Sequence, residues 1–121
     1  MELDFKSEKP IYMQLAEGLE DAILSGAYEE ESQIPSTTEI SVGYRINPAT
    51  ALKGINRLVE DEIVYKKRGL GMFVSTGAKE KISEKRKIAF FETYITSLVS
   101  EAKKLSISKE EILKMLERGF E

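Results

Sequence analysis

The apolar positions of this chain change period several times, and each change marks an element. After Pro10, the residues Leu15, Leu19, Ala22 and Ile23 recur at spacings of three and four, the stripe of a helix that closes near Gly26. Residues 1–9 lack such a pattern and read as a flexible lead-in, and Glu29-Glu30-Glu31 reads as an acidic loop. Ile34-Pro35 then precedes Ser36-Thr37-Thr38-Glu39, a capping box that predicts a short helix running to about Tyr44. The helical period returns at Asn47, a capping side chain followed by Pro48, whose missing N–H costs nothing in a first turn. At about 100° per residue, Ala51, Ile55, Leu58, Val59 and Glu62 fall on one side with Leu52 at its margin, while Thr50, Lys53 and Arg57 share the opposite side. One face belongs to the core and the other to water or a partner.

Beyond residue 62 the chain turns β-prone. Ile63-Val64-Tyr65-Lys66-Lys67 and Met72-Phe73-Val74 flank Arg68-Gly69-Leu70-Gly71, whose glycines permit a positive φ, so a hairpin is predicted with three consecutive cations at its tip. Residues 78–84 read as a hinge or as the first turn of a long helix. From Ile88 onward, Phe91, Ile95, Leu98, Ala102 and Leu105 alternate spacings of three and four, a heptad seam of about three repeats. Ser108 and Glu111 form a second capping box, with Ile107 placed to staple onto Ile112. The last helix carries Ile112, Leu113, Met115 and Leu116 and ends near Gly119.

Two helices joined by so short a turn, followed by a hairpin, describe a winged helix-turn-helix. The expected fold is mainly α with a small β-hairpin: a DNA-binding domain at residues 1–77 and a two-helix C-terminal dimerisation tail at 78–121. A seam on an otherwise charged helix calls for a partner surface, which makes Ile88, Phe91, Ile95, Leu98, Ala102 and Leu105 the dimerisation candidates and the protein a homodimer. Phe90, Phe91 and Tyr94 are also a candidate lining for a small pocket, although nothing there specifies an effector.

Composition narrows the chemistry. At 121 residues the chain holds one ordinary domain and an appendage, with no room for a second large ligand-binding domain. It contains no cysteine and no histidine, which excludes thiolate nucleophiles, disulfides, zinc-finger sites and histidine acid–base catalysis. Ser36 and Ser41 lack a recognisable base, so neither an enzyme nor a cofactor is expected. No run approaches a membrane span, and the acidic start does not resemble a signal peptide, so the expected location is the cytoplasm. The net charge of −3 opposes a nonspecific nucleic-acid coat, but it conceals a local stripe: between residues 45 and 68, Arg45, Lys53, Arg57, Lys66, Lys67 and Arg68 stand against Glu60, Asp61 and Glu62.

The order Pro10-Ile11-Tyr12 with Gln14, Gly26, Ile34-Pro35-Ser36 with Glu39, Asn47-Pro48 with Thr50, and Gly69 with Gly71-Met72-Phe73-Val74 resembles the GntR transcriptional regulators of bacteria. The short two-helix tail resembles the YtrA-like subgroup. This resemblance implies a winged helix-turn-helix, a homodimer, and repression or other control of transcription at a palindromic operator on double-stranded DNA. It also implies, for the subgroup, regulated genes that often encode membrane transporters. The family pattern places an arginine that commonly contacts DNA where this chain has Thr38, a small turn residue at Arg45, and alanine at Gly54. Arg45 is a candidate replacement for the lost cation, and Lys53 matches a position that is often basic in the subgroup.

On this reading Ser36, Thr37 and backbone N–H groups at helix starts meet phosphate, since such donors favour anionic oxygen, and Thr38 beside them is a further DNA-binding candidate. Asn47, Ala49, Thr50 and Lys53 read bases, the lysine donating to guanine and the methyl groups touching thymine. Lys66, Lys67 and Arg68 lie along a flanking groove, with Gly69 and Gly71 letting the backbone come close. The alternative is a winged-helix protein-interaction module without sequence-specific DNA binding, favoured by Thr38 and the acidic balance.

Overall fold

The computed structural model describes residues 1–121, which form two compact units, Met1–Ser83 and Glu84–Glu121. Three helices build the first: α1 (Ile11–Leu24), α2 (Thr37–Tyr44) and α3 (Pro48–Glu60). They are followed by the antiparallel strands β1 (Val64–Lys67) and β2 (Gly71–Val74). The register pairs Val64 with Val74 and Lys67 with Gly71, so the loop is Arg68-Gly69-Leu70, with Gly69 at φ 78°. The architecture is the mainly α winged helix-turn-helix expected from the sequence.

The core draws on the apolar residues expected of α1, α3 and the hairpin, and Ile40 and Ile82 join them without having been singled out by the sequence. Leu15, Leu19 and Ile23 of α1 meet Ile40 of α2, Ala51, Ile55 and Leu58 of α3, and Ile63, Val64 and Val74 of the hairpin, with Ile82 closing the cluster. Each such fully buried Leu or Ile contributes about 1.5–3 kcal/mol relative to exposure.

Three local expectations change. Residues 4–9 are not a loose lead-in, because the Gln14 amide binds them: Nε2 donates to the Asp4 and Lys9 carbonyls at 2.9 and 2.8 Å, and Oε1 accepts from the Asp4 N–H at 2.8 Å. Val59 is 39% exposed and Glu62 lies beyond the helix, since the buried face of α3 is centred on Ala51, Gly54, Ile55 and Leu58. The missing member is Gly54, where α1 comes so close that an added Cβ would stand 2.8 Å from Leu15 Cδ2 and 3.0 Å from the Tyr12 carbonyl oxygen. Thirdly, the acidic loop is structural. Glu30 accepts from the Gly77 and Lys79 N–H groups at the start of the next helix, and Glu31 accepts from the Tyr65 hydroxyl at 2.5 Å and the Thr76 hydroxyl at 2.8 Å.

Beyond the hairpin, α4 (Ala78–Phe90) continues without a break through a π-helical turn (Phe91–Ile95) into α5 (Thr96–Lys104), and α6 (Lys109–Gly119) follows a bend. The Ser97 hydroxyl, at the start of α5, donates at 2.6 Å to the Thr93 carbonyl of the widened turn. The second capping box forms as predicted, with the Glu111 N–H donating to Ser108 Oγ at 3.1 Å. No helix is long and apolar enough to cross a membrane.

Candidate nucleic-acid interface

The first capping box is complete: Ser36 Oγ accepts from the Glu39 N–H at 3.0 Å and the Glu39 carboxylate accepts from the Ser36 N–H at 3.1 Å. The chain leaves α2 through Arg45, which is left-handed at φ 54° and ψ 50°, while the Ile46 N–H returns to the Ser41 carbonyl at 3.0 Å. A buried hydroxyl locks the turn, since Ser41 Oγ donates to the Ile46 carbonyl at 2.7 Å. Asn47 Oδ1 then accepts from the Ala49 N–H at 2.8 Å and starts α3 on Pro48. Every bond in this turn is short-range and satisfied, so the angle between the two helices is held firmly.

The candidate residues divide between two adjoining depressions. Ser36, Thr37, Thr38, Lys66 and Gly71 line a cleft of about 460 Å³ between the start of α2, the side of α3 and the hairpin. Ala49 and Lys53 line a shallower groove of about 360 Å³ on the outer face of α3, together with Tyr12, Arg57 and Glu60. Leu52 and Asn56 border both and form the ridge between them. Arg45 and Asn47 are exposed at the turn, Thr50 is half-buried, and Arg68 and Gly69 are exposed at the hairpin tip.

The three hairpin cations do not act as one row. Successive strand residues face opposite ways. Lys66 accordingly lines the cleft, whereas Lys67 lies over the Phe73 ring at 4.2 Å and the Tyr65 ring at 5.8 Å. Lys53 is also engaged, with its ammonium 4.1 Å from the centre of the Tyr12 ring.

Two positions with a bearing on the site carried no signal in the sequence. Gln33 Nε2 donates to the Leu70 carbonyl at 2.7 Å and so ties the hairpin tip to the segment before α2. That segment pairs with β2, as the Ile34 N–H donates to the Met72 carbonyl and the Val74 N–H to the Ser32 carbonyl, both at 2.9 Å. Three residues are too few to show a period of two. Asn56 is the second, a mid-helix asparagine that only the position of the hairpin turns into a lining residue of the cleft.

The hydrogen bonds to Glu31 shift two groups. The Tyr65 hydroxyl first, then the Thr76 hydroxyl, hold the Glu31 carboxyl below its ordinary value, and the same bond raises the Tyr65 phenol. Glu30 is lowered chiefly by the Gly77 N–H and next by that of Lys79.

A helix pair with a capped, exposed second helix and an adjacent hairpin defines a winged helix-turn-helix regulator. Residues 11–74 match the bacterial regulatory proteins of the gntR family, and the chain belongs to that family. It is 25% identical over 112 residues to the HTH-type transcriptional repressor YtrA of Bacillus subtilis, covering 93% of this chain and 85% of that one, which supports the YtrA-like subgroup. A GntR-family regulator from Bacteroides thetaiotaomicron superposes with a TM-score of 0.80 at 39% identity, covering 91% of this chain and 96% of that one. The DNA-binding domain of AraR, solved in complex with its operator ORX1, superposes with a TM-score of 0.57 at 26% identity over 62% of this chain and 96% of that one.

Proposed function

We propose that this protein is a sequence-specific DNA-binding repressor that grips a palindromic operator as a homodimer in the cytoplasm. The observation that carries this reading is the convergence of the α2 start, the exposed side of α3 and the inner face of the hairpin on one cleft, with Lys66 in its wall. A duplex edge laid against it meets the hydroxyls of Ser36, Thr37 and Thr38 and the Lys66 ammonium at its phosphates, while the exposed start of α3 enters the major groove. There Asn47, Ala49, Thr50 and Lys53 read bases, Asn47 through the amide N–H groups that its cap leaves over. Arg45 and Arg68 extend the positive surface to either side. The repressor role of YtrA and the operator complex of AraR support the same reading.

The tail supplies the pairing. Phe91 is 60% and Leu105 62% exposed, and Tyr94, Val99, Leu113, Met115, Leu116 and Phe120 add further open apolar surface. Ile88 belongs to that surface too, Ile95 and Leu98 are half-buried, and Ala102 is only 8% exposed in the single chain. So much apolar area on a short helical unit fits association with a second copy.

Selection of duplexes from a random-sequence pool by the purified protein tests the proposal. The expected product is a two-fold symmetric motif with half-sites about one helical turn apart, bound about five- to 150-fold less tightly by Lys53→Ala, the loss of one base contact. Recovery of no shared motif at modest salt, with the dimer intact, overturns it in favour of the protein-interaction reading that Thr38 invites.

A further inference from the structure

Lys53 is the one base-reading candidate with a long, flexible side chain, and free lysine carries about 2 kcal/mol of rotamer entropy that a base contact must overcome. In this structure that freedom is already restricted. Its ammonium lies 4.1 Å from the centre of the half-buried Tyr12 ring, across the gap between α3 and α1. The two helices approach closely here because Gly54, the next residue of α3, presents no Cβ to the Tyr12 carbonyl, which an added Cβ would meet at 3.0 Å. Tyr12 also lines the same shallow groove as Ala49 and Lys53, so the ring stands at the edge of the surface that faces DNA.

We propose that Tyr12 is a positioning residue for sequence readout, holding the Lys53 ammonium at the rim of the groove through the face of its ring. This rests on the DNA-reading role given to Lys53 above. A cation over a ring face is attracted by its quadrupole, and the three N–H groups of an ammonium leave donors free to turn toward a base while one side rests on the ring. The ring thus reduces the ordering that binding requires without occupying the donors that read. An exposed interaction of this type corresponds to about two- to fivefold in affinity.

The test compares Tyr12→Phe, Tyr12→Leu, Lys53→Ala and the Tyr12→Leu/Lys53→Ala double variant, on the duplex that the wild-type protein selects from a random pool. Tyr12→Phe keeps the ring face and is expected within a factor of two of wild type. Tyr12→Leu keeps apolar bulk and is expected to bind two- to fivefold more weakly, and the double variant no more weakly than Lys53→Ala alone. In NMR spectra of the free protein the Lys53 ε-methylene protons are expected upfield from the ring current, unchanged in Tyr12→Phe and shifted back to the ordinary lysine position in Tyr12→Leu. An effect of Tyr12→Leu that adds in full to that of Lys53→Ala, an equal loss with Tyr12→Phe, or ε-methylene shifts indifferent to Tyr12→Leu overturns the proposal. A selected duplex whose affinity ignores Lys53→Ala overturns this inference together with the role of Lys53, whereas an Ala-sensitive Lys53 with an indifferent Tyr12 overturns this inference alone.

Discussion

Three helices of this chain end in the same way with residues that ordinarily avoid it. Arg45, Glu62 and Ser106 are left-handed at φ 54°, 59° and 55°, and the residue after each is an isoleucine whose N–H returns to a carbonyl five positions back. Glu62 and Ser106 complete the Schellman arrangement with N–H bonds to the Val59 and Lys103 carbonyls, while the Arg45 N–H bonds that of Ser41 instead; the motif usually places glycine at the left-handed position because a Cβ there costs about 1–2 kcal/mol. Ile46 and Ile63 are buried and Ile107 is half-buried, so the apolar residue beyond each stop is what fixes the exit. Arg45→Gly is therefore expected to raise stability by about 1 kcal/mol, read as a higher urea midpoint. It is also expected to weaken operator binding, because the turn loses its cation. A variant with unchanged affinity removes Arg45 from the interface. At the same scale, the alternation of a strand separated Lys66 from Lys67; the residue types were legible, but their division between cleft and ring face was set by a register that the sequence only outlined.

Among the elements, α1 and α3 show how a helical pattern can be read correctly and still be mis-centred. The wheel of α3 treats glycine as neutral, so it extended the core face to Val59 and Glu62 and passed over Gly54, which α1 approaches closely. Gly54→Ala gains up to about 1 kcal/mol of helix propensity but forces a methyl group against Leu15 and the Tyr12 carbonyl, an overpacking that costs about 1–3 kcal/mol. The net expectation is a lower melting temperature. Gly43→Ala in α2 is the control, since nothing lies within 4 Å of its would-be Cβ and the same substitution there is expected to stabilise. If both variants stabilise, the close crossing is softer than described.

The loop before α2 makes a pH prediction. Both carboxyls have folded values below the ordinary 4.5, so the stability they bring is present above that pH and is lost as pH falls through the lowered values. Acid unfolding below about pH 4.5 is expected to flatten in Glu30→Gln/Glu31→Gln, together with lower stability at neutral pH. An unchanged acid limb shows that other carboxylates dominate it.

At the scale of the whole molecule, association is expected to depend on the open side of the tail. Leu105 is exposed in the single chain, so Leu105→Asp should leave the protomer folded while light scattering reports monomers. Operator affinity then falls because the second half-site no longer benefits from tethering. An intact dimer with wild-type affinity moves the interface elsewhere.

The sequence by itself determined the helix pair, the hairpin, the capping boxes that start α2 and α6, and the winged helix-turn-helix class, because capping and hydrophobic period are local properties written within a few residues, whereas it left residues 78–84 open between hinge and helix and did not show the π-helical turn. Tertiary structure alone decided that Tyr12 lies beside Lys53, that Gln33 holds the hairpin tip, and that Glu30 and Glu31 serve the next helix and the hairpin base. Each of those pairings joins residues far apart in the chain, and their meeting depends on how closely the helices cross and how the strands register. Those are collective outcomes of packing a core, and no single stretch of residues encodes them.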